Sequence, residues 1–218
     1  MPELITISQL LLQGLVSRLD LKLCTGQSIV IRTPGERECK SLVQSLLGEY
    51  LPDEGSISFS GHQLHEVTYE QSLALRRGLN LVSDQSGLIS NLKLWENITL
   101  PLLYHTGTLS DAASQQASSL LDELGYTGNI WALPAHLAPH DRVIATFVRG
   151  VLSSAGVMLY TDVLQELPAQ TRGRIQAAIG RYHAGNDAPA AIFVTSGDEP
   201  FSFIHIDTEL DLRRDSND

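Results

Sequence analysis

Lys40 and Ser41 are the two residues whose types and position could do chemistry on a phosphate group. They follow an apolar segment, Ser28–Arg32, which is predicted to be a buried strand, and they precede apolar residues at helical spacing. A strand, a tight loop, Lys-Ser and a helix make up a phosphate-binding P-loop, whose pattern is G-x-x-x-x-G-K-[ST]. Counting back from the pair places this pattern on Pro34–Ser41, with the helix expected to open near Lys40.

The loop before Lys40 lacks most of the groups that a P-loop uses. P-loop glycines let backbone N–H groups converge on the phosphates without a Cβ in the way. Pro34 replaces the first glycine and has no N–H to donate, and Cys39 replaces the last. Glu36 and Glu38 place negative charges where phosphates would lie, at a cost of about 1–4 kcal/mol each. The candidate nucleotide-binding residues are Pro34, Gly35, Glu36, Arg37, Glu38, Cys39, Lys40 and Ser41.

A second run, SDQSGLISNLKLWENITLPLLYH at positions 83–105, is the most specific pattern in the chain. It resembles a segment of ABC transporter ATP-binding subunits in which a strand ending in Phe-Gln precedes L-[IL]-x-x-L-T-V-x-E-N-V-x-L-P-L. The turn Pro52–Gly55 and a strand predicted at Ser56–Ser60 also follow the P-loop in that family's order. The resemblance extends over residues 3 to 214, and the matching residues of the second run are Leu88, Ile89, Leu92, Leu94, Glu96, Asn97, Ile98, Leu100, Pro101 and Leu102.

The resemblance implies where the family's other functional positions fall. The Q-loop glutamine, which senses magnesium and the attacking water, falls on Asp84, and Gln85 comes one residue later. Asp84 and the hydroxyl of Ser41 are the candidate magnesium ligands if a nucleotide binds. The signature Ser-Gly-Gly, which contacts the γ-phosphate held by the opposite subunit, has lost its serine and its glycines. The candidate signature residues are Ala138, Pro139 and His140.

The same resemblance places the hydrolytic residues at two strand ends. The family's Walker B Asp-Glu pair falls on Thr161 and Asp162. Thr161 has no carboxylate, and Asp162 is one methylene shorter than the glutamate that polarises the attacking water, so both changes impair the expected chemistry. The histidine of the family's H-loop falls on Ser196. The spacing and core character of the family are therefore kept, while its catalytic positions are altered.

Charge and composition restrict the partners. A formal net charge of −10 over 218 residues argues against a nucleic-acid binder, because neutralising phosphates needs clustered Lys and Arg. Cys24 and Cys39 fit no metal or redox spacing, and a reduced cytosolic protein is the simpler interpretation, although a disulfide stays open. No apolar run approaches the roughly 20 residues that span a bilayer, so attachment to a membrane is expected to go through a partner.

The predicted fold is α/β, a P-loop NTPase-like ABC ATPase fold with a mixed central sheet flanked by helices. A small antiparallel β subdomain and a helical subdomain at about 85–150 complete one domain over residues 1–214, followed by a polar tail at 215–218. The other predicted elements are strands at Leu4–Leu12, Leu19–Leu23, Leu79–Val82, Val157–Tyr160, Ala190–Thr195 and Asp207–Leu212, and helices at Thr108–Gly125 and Ala169–Tyr182.

Three functional hypotheses follow. The first is a catalytically inactive ABC-type subunit that docks on the cytoplasmic face of an integral-membrane permease or regulates an intact homologous ATPase, in a homo- or heterodimer. The second is a divergent but working transport ATPase that binds ATP and magnesium through Lys40, Ser41 and Asp162. The third is a soluble interaction protein that has kept only the fold. The substrate and the direction of transport stay open, and the local run Gln85-Ser86-Gly87 favours the phospholipid-trafficking branch.

Overall fold

The fold is built on two sheets, one parallel and one antiparallel. The computed structural model describes residues 2–15, 17–68, 70–71, 75, 77–85, 87–161, 167–185 and 188–213. The strands are β1 (Glu3–Leu11), β2 (Leu19–Cys24), β3 (Ser28–Arg32), β4 (Glu54–Phe59), β5 (His62–Gln63), β6 (Leu79–Val82), β7 (Val157–Thr161), β8 (Ala190–Thr195) and β9 (Thr208–Asp211). The helices are α1 (Glu36–Leu46), α2 (Leu94–Thr106), α3 (Asp111–Leu124), α4 (Pro139–Ser153) and α5 (Ala169–Tyr182), with a short 3-10 helix at Pro134–His136.

The central sheet has the strand order β6-β7-β8-β3-β9, and all of its described pairs are parallel. Strands β3, β6 and β8 are buried at every residue, as expected for a parallel sheet covered on both faces. The predicted α/β fold class is confirmed, but the prediction of a mixed central sheet is wrong for the described strands. The antiparallel strands form a sheet of their own, in the order β2-β1-β4-β5.

The two faces of the central sheet belong to two separate cores. Because side chains alternate along a strand, Val30 and Phe193 pack with the helices α2 to α5, whereas Ile29 and Ile192 pack on the opposite face. The second face is covered by α1 and the inner side of the antiparallel sheet, where β2 alternates buried and solvent-facing residues. Helix α1 is therefore fixed between the two sheets, directly after β3.

The helical part of the chain lies on the first face. Helix α4 packs against α2, α3 and β6. Helix α3 begins at Asp111, inside the predicted range Thr108–Gly125, because the Ser110 hydroxyl caps it by accepting a hydrogen bond from the N–H of Ala113 at 3.2 Å. The single-domain boundary and the helical subdomain at about 85–150 stay predictions. Among the described residues, no helix combines the length and apolar character that crossing a membrane would require.

Candidate functional site

Helix α1 begins four residues earlier than the P-loop pattern predicts. Strand β3 ends at Arg32 and α1 begins at Glu36, so only Thr33–Gly35 connect them. The N–H of Cys39 donates to the carbonyl of Gly35 at 3.0 Å, which is the first hydrogen bond of the helix. The expected helix start near Lys40 is therefore wrong, and four of the eight pattern positions form a helical turn.

Local helix propensity explains this early start. Cys39 stands at the last glycine position of the P-loop pattern, and Arg37 stands where the ABC family, which the chain resembles, usually has another glycine. Glycine in a helix costs about 1 kcal/mol more than a good helix former such as arginine. Glu36 and Glu38 lie in the first turn, where negative charge stabilises the positive end of the helix dipole by about 0.3–1 kcal/mol. The residues that replace a P-loop thus favour the helical turn, and the Cys39 N–H is used inside the helix.

The new turn packs against the loop between β1 and β2. The Arg37 guanidinium donates to the side-chain oxygen of Gln13 at 3.2 Å. The Glu38 carboxylate lies against Gly14, and a Cβ at Gly14 would overlap it. Gly14 also has a φ of 96°, which L side chains rarely adopt. These contacts fasten Arg37 and Glu38 to the protein where the pattern would direct backbone donors towards a phosphate.

The Cys39 side chain contacts Thr161, which stands at the Walker B aspartate position. The buried thiol lies 3.2 Å from the Thr161 hydroxyl and 3.5 Å from the carbonyl of Val194. A thiol and a hydroxyl thus meet where the family has a glycine and an aspartate. Magnesium prefers carboxylate oxygens, and the described residues contain no group of three or more His, Cys, Asp or Glu arranged for a metal. Asp162 lies outside the described residues.

A cleft of about 1060 Å³ lies beside α1 and brings part of the predicted site together. Its walls come from α1, β6 and the loop after it, α2 and α4. The predicted site residues that line it are Glu36, Arg37, Cys39, Lys40, Asp84, Gln85 and Thr161. The other predicted site residues that the structure describes are not among its lining residues: Pro34, Gly35, Glu38, Ser41, Ala138, Pro139, His140 and Ser196.

Helix α4 holds the loop that follows β6. The Thr146 hydroxyl accepts from the N–H of Ser83 at 3.2 Å, and the Arg142 guanidinium lies 3.4 Å from the carbonyl of Asp84. Arg149 donates to the carbonyl of Gly87. Sequence reasoning missed these three residues of α4, although their spacing of four and three places them on one face of a helix. Burial lowers the pKa of Arg149 to about 10.

The residues at the signature position form the start of α4. Ala138 is the N-cap and makes no side-chain capping hydrogen bond, and Pro139 is the first helical residue and has no N–H. His140 lies 3.5 Å from Asp141, which gives an ion pair when the imidazole is protonated. Neither the serine hydroxyl nor the glycine backbone donor of the family is present at this helix start.

Ser196 follows β8 in a loop fixed by a buried arginine. Arg32, which is 7% exposed, donates to the carbonyls of Gly197 at 2.5 Å and Glu199 at 3.2 Å. Its Nε also forms an ion pair with Glu209 at 2.5 Å. Sequence reasoning missed Arg32 as well, and its position inside an apolar strand was the available signal. The loop that carries Ser196 is therefore tied to β3 and β9.

Comparison with known proteins decides the family. The family model described as "ABC transporter" matches residues 19–159, well over half of the chain. The chain belongs to the ABC transporter family. It is an ABC transporter ATP-binding domain, as the resemblance of the second run predicted, although helix α1 departs from the P-loop pattern.

Relatives of this ATP-binding domain differ in how much of their length it matches. It is 27% identical over 164 residues to a lipoprotein-releasing system ATP-binding protein, LolD, of Pseudomonas fluorescens, covering 74% of this chain and 71% of that protein. It is 22% identical over 183 residues to the macrolide export ATP-binding/permease protein MacB of Bdellovibrio bacteriovorus. That match covers 83% of this chain but only 27% of the longer protein.

The fold of the domain is also found in solved structures. One is a dimeric ATP-binding cassette in a post-hydrolysis state, bound to ADP and Pi. It superposes with a TM-score of 0.75 at 16% identity, over 88% of each chain. This likeness confirms the ABC ATPase fold.

Proposed function

We propose that this chain is a catalytically degenerate ABC-type ATP-binding subunit that acts as a structural or regulatory partner in a membrane transport complex. The observation that carries the proposal is the start of α1 at Glu36. A P-loop needs a flexible loop whose backbone N–H groups converge on the phosphates. Here the connection from β3 is three residues long, and the Cys39 N–H is engaged within the helix.

The groups at the other catalytic positions support the same proposal. Thr161 brings a hydroxyl to the position of the Walker B aspartate, and its neighbour is the Cys39 thiol. Pro139 removes a backbone donor from the start of the signature helix. Hydrolysis depends on donors and magnesium placed around the transferred phosphoryl group. With these groups replaced, the residues present do not fit magnesium-bound ATP.

The partner is proposed to be an integral-membrane permease subunit, an intact homologous ABC ATPase, or both, at the cytoplasmic face of the membrane. The names of two relatives support this choice, because one is an ATP-binding/permease protein and the other the ATP-binding protein of a lipoprotein-releasing system. The dimeric cassette among the solved structures supports pairing with a second ATP-binding domain. The surface proposed for docking is the cleft wall formed by the loop after β6 and α2.

Titration calorimetry with magnesium-ATP tests the loss of nucleotide binding. We expect no heat of binding at millimolar ATP, for the protein and for Lys40→Ala alike. Micromolar binding that disappears in Lys40→Ala would show that the remodelled turn still holds a phosphate. Turnover of ATP that depends on Lys40 would overturn the proposal outright.

A divergent but working ATPase is the second candidate, and one observation favours it. Lys40, Asp84 and Thr161 line the same cleft, so its walls carry an ammonium, a carboxylate and a hydroxyl. In this case Asp84 would supply a magnesium ligand that Thr161 cannot. This alternative expects magnesium-dependent ATP affinity and loss of transport in Lys40→Ala, and Asp84→Asn would weaken binding only when magnesium is present.

A further inference from the structure

The cleft beside α1 is lined by charged, uncharged polar and apolar residues in comparable numbers. The charged residues are the cations Arg37, Lys40, Arg77 and Arg149 and the carboxylates of Glu36, Glu49 and Asp84. This excess of a single positive charge fits a ligand with one negative charge, and not a polyphosphate. The volume of about 1060 Å³ is close to the upper end of the range for small-molecule sites.

Arg149 is the cation whose surroundings most favour an added carboxylate. It is half-buried, and the hydrogen bond described for it is to the backbone carbonyl of Gly87. No carboxylate among the described residues forms an ion pair with it. Arginine is almost never buried unless it is paired, because removing its charge from water is costly. The planar guanidinium can hold a carboxylate through two parallel hydrogen bonds, which would compensate that cost.

Tyr104 and Arg77 offer a flat surface in the same cleft. Tyr104 is 69% exposed, although it is a large aromatic side chain, and the Arg77 guanidinium lies over its ring, 5.2 Å from the centre. Aromatic rings and guanidinium groups both stack on planar groups. This Tyr104–Arg77 pair therefore favours a ligand whose body is a flat aromatic ring.

Arg149 and Arg77 both lie near the start of β6. Gly150, the neighbour of Arg149 in α4, approaches the side chain of Asn80 so closely that a Cβ on Gly150 would overlap it. Asn80 is the second residue of β6, and Arg77 precedes that strand by two residues. A small ligand in this part of the cleft can therefore contact the side chains of both arginines.

Lys40 belongs to the other end of the cleft. Its neighbour Cys39 contacts Thr161, the last residue of β7. Strands β6 and β7 are parallel, so their carboxyl ends lie at the same edge of the sheet. The two arginines near the start of β6 are thus separate from the positions where the P-loop pattern would hold a nucleotide.

We propose that the cleft binds a small aromatic carboxylate, whose acid group lies on Arg149 and whose ring lies on the Tyr104–Arg77 pair. This inference goes beyond the proposed function, because it assigns to the domain a small-molecule ligand that is neither a nucleotide nor a partner protein. It requires no magnesium and no contact with Lys40.

Naphthoate and naphthamide test the proposal on the full chain. The two probes share a flat two-ring body and differ in the charge of one group. Binding is followed by ligand-observed NMR. We expect naphthoate to bind with a Kd below about 1 mM and naphthamide at least about tenfold more weakly at low salt. The difference should shrink at high salt.

Two variants separate the roles of the acid group and the ring. Arg149→Gln should weaken naphthoate about tenfold and naphthamide less than about twofold, because only the carboxylate uses the charge. Tyr104→Ala, at an exposed position, should weaken both probes about fivefold, because stacking does not depend on that charge. Arg181→Gln removes an exposed arginine that is not among the residues lining the cleft, and should change neither affinity. Circular dichroism confirms that each variant folds.

Several results would overturn the proposal. Equal affinity for the two probes, or no binding of naphthoate at about 10 mM, excludes recognition of an aromatic carboxylate. Unchanged binding of both probes to Tyr104→Ala excludes the ring position. A tenfold loss of naphthoate affinity in Lys40→Gln, or displacement of naphthoate by magnesium-ATP, would place the acid at the nucleotide position.

Discussion

The cleft lies between two regions, the start of α2 and the connection from β3 to α1, which depart from the family pattern to very different degrees. In the segment that begins α2, Asn97 is fully buried and its Oδ1 accepts from the N–H of Ile89 at 2.7 Å. Its Nδ2 donates to the carbonyls of Leu92 and Lys93 at 2.9 and 3.2 Å. In the connection from β3 to α1, by contrast, a helical turn has replaced the expected loop.

The difference lies in what each pattern serves. Asn97 satisfies buried backbone groups of its own chain, so replacing it would destabilise the fold whatever the protein binds. P-loop glycines serve a ligand, and the fold gains nothing from their flexibility. Once Arg37 and Cys39 occupy such positions, local helix propensity determines the conformation of the backbone there. A family pattern can therefore persist at one wall of a cleft and vanish at another.

The largest effect is expected from Asn97→Ala. It leaves the N–H of Ile89 and several carbonyls buried without partners, which should lower the free energy of unfolding by about 3 kcal/mol. Urea denaturation measures the change. Asn91→Ala, at an exposed position in the same segment, is the control and should stay within about 0.5 kcal/mol. Equal effects of the two changes would contradict the role given to Asn97.

A smaller effect is expected from restoring two glycines, in Arg37→Gly with Cys39→Gly. The pair should cost about 2 kcal/mol of stability, because Arg37→Gly disfavours the first helical turn and Cys39→Gly also removes a buried side chain. Hydrogen exchange at the amide of residue 39, which starts the helical ladder, should become much faster.

The matched control is Arg37→Ala with Cys39→Ala, since alanine is a strong helix former. It should keep the amide of residue 39 protected. Equal protection in the glycine and alanine variants would show that tertiary contacts, and not propensity, determine where α1 begins.

His183 lies outside both regions, and its protonation is expected to make the stability of the fold depend on pH. Its Nδ1 lies 2.9 Å from the carbonyl of Pro189, which only accepts, so the neutral ring donates there and accepts from the Tyr160 hydroxyl at Nε2. Burial lowers the pKa of His183, outweighing the hydrogen bond to Pro189. The unfolded chain therefore binds the proton more readily, and stability should fall as pH drops below about 6.5.

Denaturation between about pH 7.5 and pH 5 measures this slope. His183→Gln should reduce it, because the amide does not titrate, and the remaining slope is expected from His65, whose pKa is also lowered by burial. His205→Gln, at a strongly exposed position, should leave it unchanged. A slope that is unchanged in His183→Gln would assign the pH dependence to another group.

The smallest effect is expected from Gln13→Ala, which removes the hydrogen bond from Arg37 to the loop after β1. Both side chains are exposed, so the loss should not exceed about 0.5 kcal/mol. Gln63→Ala, at an exposed position of β5, gives the baseline for losing a surface glutamine. A loss well above 0.5 kcal/mol relative to this baseline would mean that the loop, and not helix propensity, holds the first turn.

The sequence predicts most of the scaffold of this molecule. Strands β3, β6 and β8 and helix α5 have the bounds that their apolar patterns predict. Continuous apolar runs of four to six residues between polar segments leave little choice for a buried strand. The parallel pairing of the central strands depends on contacts between distant parts of the chain, so no single segment of the sequence predicts it.

The candidate site is less predictable. The alignment of Lys40 and Ser41 with the P-loop motif predicts that α1 begins near Lys40. The helix begins at Glu36 instead, because the residues before Lys40 favour a helical turn. The contacts of Arg32 and Arg149 join residues that are 62 or more positions apart, so the local sequence holds no sign of their partners. The resemblance to the family does predict that Lys40, Asp84 and Thr161 lie at the same site.

The added turn of α1 also separates two sources of positive charge. Four residues lengthen a helix by about 6 Å, so the free N–H groups of the helix now lie at Glu36–Glu38, about one turn beyond Lys40. The field of a helix dipole fades within its first turn. In a P-loop the dipole and the lysine act on the same phosphate, whereas here an anion held beside Lys40 is attracted by the ammonium alone. Lys40 thus works as a side chain of the cleft wall, at a distance from the helix end.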